Sequence, residues 1–105
     1  MFAHWGPDGY YYPAYVKQAG PTRTTVEFAA TFMNGQVAEI GNEYIADKQE
    51  VLVNFKFQGN WQNLGRYYWG KLISLQPLTM KYYDKTLENI DIRQIRVNRR
   101  KKPRV

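Results

Sequence analysis

The side chains with the most obvious capacity for recognition chemistry are aromatic: nine tyrosines, five phenylalanines and three tryptophans in 105 residues. They fall in clusters, Tyr10-Tyr11-Tyr12, Tyr67-Tyr68-Trp69 and Tyr82-Tyr83. Rings of this kind either pack a small core or, when exposed beside bases, stack on single-stranded nucleic acid. Catalytic equipment is thin. The chain has no cysteine and one histidine, His4, and Ser74 is its lone serine, without a partner at a recognisable spacing. The carboxylates are scattered, with neither a glycine-rich phosphate loop nor a His/Asp/Glu metal cluster. A binding module is expected, not an enzyme, and no cofactor is implied.

The elements that must position these rings read as a repeat. Phe2-Ala3-His4-Trp5 is echoed by Leu52-Val53-Asn54-Phe55. The run from Gly9 to Val16 matches that from Gly65 to Leu72, sharing the Gly, the Tyr-Tyr, a small residue and an aliphatic. Thr25-Val26-Glu27-Phe28 matches Thr79-Met80-Lys81-Tyr82, and Ile40 with Ile45 matches Ile90 with Ile95. Each block reads as a short strand rich in aromatic and β-branched residues, and no stretch shows a helical period. Asn34-Gly35 predicts a tight hairpin turn into a Gln36–Ile40 strand, and Gly20-Pro21 and Gln76-Pro77 break the chain inside each copy. Alternation groups Tyr12, Ala14 and Val16 on one face, and Tyr68, Gly70 and Leu72 on its twin. The small mid-strand residue is what a tightly curved wall requires.

Length allows one domain or two compact units of roughly 50 residues, each needing its neighbour for stability. The repeat favours the second: an all-β chain with units at 1–48 and 49–97, a linker over Ala46–Glu50 and a basic tail at 98–105. The net charge is +6. Arg96, Arg99, Arg100, Lys101, Lys102 and Arg104 form a run without an acid, and the remaining nine bases balance nine acids. Such a run is a solvated end, a nuclear-import signal or a contact for DNA or RNA. No apolar stretch is long enough to span a membrane and no signal segment opens the chain, so a soluble, intracellular, monomeric protein is expected.

In order and content the blocks resemble the tandem Tudor and Agenet group of SH3-like barrels. The first copy carries the resemblance on Met1 to Trp5, Asp8-Gly9, Tyr12-Pro13-Ala14-Tyr15-Val16 and Val26-Glu27-Phe28. The second carries it more loosely, on Phe55, Tyr68 to Leu72 and Met80-Lys81-Tyr82. The resemblance implies two small β-barrels packed together, each with an aromatic cage and an acid for a methylated lysine or arginine on a peptide such as a histone tail. A nuclear reader of chromatin follows from it. A methylated ammonium keeps its charge but sheds water cheaply, so each ring face attracts it by about 0.5–2 kcal/mol.

Carried over by position, the first cage is Trp5, Tyr12 and Phe28, with Asp8 as substitute acid and Phe32 as a fourth ring. The second is Phe55, Tyr68, Tyr82 and Asp84. Plain packing accounts for Tyr12 and Tyr68 equally well, and the core reading is preferred for Phe28 and Tyr82. Trp61, in the polar loop Gln58 to Asn63, is a further candidate for ligand contact. Two alternatives stand beside the reader: a nucleic-acid-binding module using the tail and the basic second unit, and an assembly scaffold whose cages are filled by packing.

Overall fold

The structure, a computed structural model, describes residues 1–99. The described residues are predominantly β, with ten strands among them: β1 Phe2–His4, β2 Tyr11–Ala19, β3 Arg23–Phe28, β4 Val37–Gly41, β5 Ile45–Ala46, β6 Phe55–Asn60, β7 Tyr67–Leu75, β8 Leu78–Tyr82, β9 Leu87–Asn89 and β10 Ile95–Arg99. All ladders are antiparallel. Their order is β4-β3-β2-β10-β6-β7-β8-β9, and β1 pairs with β2 and β5. Each half is therefore a meander of four strands whose first strand also pairs with the fifth. A 3-10 turn, Asn42–Tyr44 or Ile92–Gln94, leads into that fifth strand. Among the described residues no ladder joins β4 to β5 or β9 to β10, so the hydrogen-bonded set is not closed.

The register fixes which residues are twins. Ala14 faces Phe28 and Val16 faces Val26; Gly70 faces Tyr82 and Leu72 faces Met80. A bulge follows in both halves, between Val16 and Gln18 and between Leu72 and Ser74. A bulge increases local twist, which bends each long second strand at the same place. Gly70 is small for a reason, since a Cβ there would lie 2.8 Å from the Lys81 carbonyl oxygen and 2.9 Å from Met80 Sδ.

The first repeat block needs correcting. Leu52-Val53-Asn54 is not a strand but the end of a short helix, α1, Lys48–Asn54. Asp47 caps it by accepting from the Glu50 amide at 2.8 Å, which satisfies one of the free N–H groups of the first turn. Ala3 pairs with Tyr12 and Ile45, whereas the residue that pairs with Tyr68 and Ile95 is Gly59. The true echo of Phe2-Ala3-His4-Trp5 is thus Gln58-Gly59-Asn60-Trp61. The twin of Trp5 is Trp61, not Phe55. Helix α1 also occupies most of the expected linker and spans the 48/49 boundary.

Asn34-Gly35 does turn the chain, with both residues at positive φ, but not as a two-residue hairpin. A 3-10 turn over Thr31–Met33 precedes it, and β4 begins only at Val37. The last strand runs past Ile95 to Arg99, so Asn98 and Arg99, expected in the tail, belong with Arg96 to the strand. Arg100, Lys101, Lys102 and Arg104 lie outside the described residues.

Two apolar clusters hold the strands. One gathers Ala3, Tyr12, Ala14, Val26, Phe28 and Met33 from the first half. The other is built around Phe55, Met80, Ile95 and Val97, and also takes in Phe2, Tyr11 and Ala46. Burying each such large side chain contributes about 1.5–3 kcal/mol. Adjacent tyrosines on β2 serve different clusters, because neighbours on a strand face opposite ways: Tyr11 packs its ring edge-on against Phe55 at 4.9 Å. The halves join by one strand pairing, Val97 to Tyr11, and by this shared second cluster.

Candidate functional site

An open aromatic box lies in the second half. Trp61, Tyr68, Tyr82, Tyr83, Asp84 and Thr86 line a surface pocket of about 310 Å³. Three segments deliver them: the 3-10 turn after β6, the start of β7, and the β8–β9 hairpin. In that hairpin Tyr82 and Thr86 close the turn, the Tyr82 amide donating to the Thr86 carbonyl at 2.9 Å. Lys85 takes positive φ, so the loop Tyr83-Asp84-Lys85 is a three-residue connection with a left-handed last residue. Asp84 accepts from the Thr86 amide at 2.9 Å, the local side-chain turn that aspartate favours. That backbone N–H holds the Asp84 carboxyl below the ordinary carboxylate range. It remains an anion at the pocket wall.

One carboxylate fixes two of the ring-bearing segments. Glu88 on β9 accepts from the Tyr82 hydroxyl at 2.7 Å and from the Gln62 amide, next to Trp61, at 2.8 Å. Asn60 completes the loop by accepting from the Gly65 amide at 2.8 Å. Gln62 and Asn63 both sit at positive φ, a conformation that asparagine tolerates and that costs more for glutamine. Burial and the bonded Glu88 push the Tyr82 phenol well above its usual range, so that ring is neutral and fixed. By contrast Tyr68 is 46% exposed and Tyr83 is 91% exposed, leaving ring surface free for a ligand.

The expected second cage is thus brought together with one exchange. Tyr68, Tyr82 and Asp84 share the pocket, while Phe55 is fully buried against Tyr11 and takes no part. Trp61 stands in its place. The strand pairing of Gly59 with Tyr68 puts Trp61 at the end of β6, beside the second strand, which is the relation Trp5 has to β2.

The expected first cage is brought together only in part: Asp8, Tyr12 and Phe32 line a surface pocket of about 420 Å³ that Tyr67 and Arg96 also border, while Trp5 and Phe28 are not in its lining. Trp5 packs edge-on against Phe28 at 5.1 Å, and Tyr12 packs against Phe32 at 5.5 Å and Tyr67 at 6.2 Å. Tyr12 is only 1% exposed. Its hydroxyl donates to the Asp8 carboxylate, and Asp8 also accepts from the Tyr10 amide at 2.9 Å. Burial first, and then Asp8, push the Tyr12 phenol above its usual range. Ala30, the twin of Asp84, is buried and brings no charge. Phe28 is buried as well.

Arg96, expected among the nucleic-acid contacts, is instead turned inward, its side chain 20% exposed. It bonds Gln58 and Tyr12 and lies over two tyrosine rings, Tyr10 and Tyr67. Arg99 ends β10 and is the last of the described residues. No group of three His, Cys, Asp or Glu side chains suited to a metal occurs among the described residues, and no described helix is long and apolar enough to cross a membrane.

Sequence reasoning named Trp61 as a candidate for ligand contact but not as the twin of Trp5, took Arg96 for a nucleic-acid contact, and missed Glu88. The signal for the first was available, because Asn60-Trp61 repeats the polar-Trp ending of His4-Trp5. Compared with protein-family models, curated proteins and solved structures, the chain matches none of them.

Proposed function

We propose that the chain is a tandem Tudor-like reader, two SH3-like barrel units in series, that binds a methylated lysine or arginine side chain on a peptide in the second half's aromatic box. The observation that carries the reading is the convergence of Trp61, Tyr68, Tyr82 and Tyr83 with the anionic Asp84 on one open pocket. Ring faces favour a cation that is poorly hydrated, and methylation removes donors and water while leaving the charge. Asp84 adds long-range attraction and an acceptor for any N–H that remains. The duplicated strand order, the twin bulges and the 3-10 turns before the last strands support the tandem-barrel part of the reading. A histone-type tail is a suitable ligand, being basic and extended, and such a partner would place the protein in the nucleus.

A peptide titration followed by NMR tests the proposal. Trimethyllysine, dimethylarginine and unmodified versions of one basic peptide are added to the whole chain. Selective shifts of the Trp61 indole N–H and the Tyr68 amide by the methylated forms are expected. Equal responses to modified and unmodified peptide would remove the cage.

A second reading draws on a separate observation. Lys56, Phe57, Trp69 and Lys71 line a shallow groove on the other side of β7, with Trp69 half-exposed. A ring flanked by two lysines suits stacking on single-stranded nucleic acid. For that reading, affinity for an oligonucleotide falls steeply with salt and is lost on Trp69→Ala but not on Trp61→Ala.

A further inference from the structure

We infer that a second cation site lies where the halves meet, walled by Asp8, Tyr10 and Tyr12 of the first and Gln58 and Tyr67 of the second, and that this chain's own Arg96 occupies it as a built-in ligand. The Arg96 guanidinium carbon lies 4.0 Å from the centroid of the Tyr10 ring and 4.1 Å from that of Tyr67. The guanidinium thus lies over two ring faces at once, and each ring quadrupole attracts a delocalised cation placed there. Its Nη1 donates to the Tyr12 hydroxyl at 3.1 Å and its Nε to Gln58 Oε1 at 2.6 Å. Asp8 Oδ2 is 3.7 Å away and supplies the countercharge. Two ring faces, a phenol and a carboxylate are the same chemical set as the open box of the second half, here satisfied from within.

The source of the cation matters. Arg96 is carried by β10 of the second half, while Tyr10, Tyr12 and Asp8 belong to the first. The two halves share a single strand pairing, at Val97 and Tyr11, immediately beside this residue. On β10, Ile95 and Val97 point into the second-half core, so alternation sends Arg96 toward the first half. The cradle therefore does two things: it clamps the halves together, and it puts an internal cation in the place over the Tyr10 and Tyr67 rings that an external one would take. This explains why the twin positions Tyr12 and Tyr68 differ so much in exposure. The inference stands on the Arg96 geometry alone and does not require the second box to bind a peptide.

Chemical rescue tests it. In Arg96→Ala the cradle keeps its rings, phenol and carboxylate but loses its cation. Ethylguanidinium, added at millimolar concentration to the whole chain, should bind the variant saturably, raise its melting temperature and shift the Tyr10, Tyr12 and Tyr67 resonances. In the parent chain, whose cradle is filled, the apparent affinity should be weaker by about tenfold or more. Equal effects on both proteins, or none on a folded variant, would overturn the assignment. Should the variant not fold, the parent decides. A sandwiched Arg96 shows an Nε–Hε signal displaced upfield by the two rings and slow to exchange, absent from Arg96→Lys. A signal at the position of a free arginine would refute the cradle.

Discussion

Tyr12 and Tyr68 occupy the same place in the two halves, each paired across to the small residue of its first strand, Ala3 or Gly59, yet one is buried and the other half-exposed. Packing against Phe32 and Tyr67, and the Arg96 cradle, cover Tyr12. Their truncations should therefore separate stability from binding. Tyr12→Ala is expected to cost about 3–5 kcal/mol in urea unfolding, as for other large aromatic truncations in a core. Tyr68→Ala should cost under about 1 kcal/mol while weakening binding of a methylated peptide. Similar losses of stability in both would contradict the asymmetry.

Gly59 and Tyr82 form a size-matched pair whose twins are Ala3 and Phe28. A Cβ on Gly59 would lie 2.6 Å from the Tyr82 hydroxyl and 3.0 Å from its ring. Where the first half has a methyl group and no hydroxyl, the second has a hydroxyl and no methyl. Gly59→Ala should destabilise by about 1–3 kcal/mol through overpacking. Adding Tyr82→Phe should recover part of that loss, although the single Tyr82→Phe change forfeits the bond to Glu88. A double-mutant cycle measured by urea unfolding checks this; strict additivity would rule out the contact.

Asp84 sets the pH behaviour of the open box. The Thr86 amide lowers its pKa from the ordinary 3.8, so the folded state favours the carboxylate. Peptide affinity should stay level from neutral pH down to that ordinary value and fall only below it. The associated stability has the same sign, present above the unfolded value and lost as pH drops through the folded one. Asp84→Asn should weaken binding at neutral pH by roughly two- to fivefold, as read by calorimetry, and remove the acid-side fall.

At the alkaline end the buried phenols decide. Burial, with Asp8 for Tyr12 and Glu88 for Tyr82, raises both above the ordinary 10.0. The folded chain keeps protons that the unfolded chain releases, so stability is complete below about pH 10 and declines above it. Urea midpoints between pH 8 and 11 should show that decline, shallower in Tyr82→Phe. A flat profile would mean that these hydroxyls are not held as described.

Much of this was legible in the residues. Tyr12 with Tyr68, Phe28 with Tyr82 and Ile45 with Ile95 do occupy matching register positions, because strand spacing is rigid and the small residue between them marks the phase. The first block misled, since so short a block, three apolar residues and Asn54, fits a strand or a helix equally. Asp47 followed by Glu50 was the helix-start signal that resolves it. Glu88 had no local signature, as the groups it holds are six and 26 residues away. Arg96 was hidden in a basic run, where only the alternation with buried Ile95 and Val97 gives its direction.

An N-methyl group bound by the chain should lie in the open box of the second half. Intermolecular NOEs between a trimethyllysine peptide and the whole chain measure that directly. Cross-peaks from the methyl protons to the Trp61 and Tyr68 rings are predicted, with none to Tyr12 or Tyr10 while Arg96 is in place. Contacts to the first half instead, or saturable binding with no aromatic cross-peak, would contradict it.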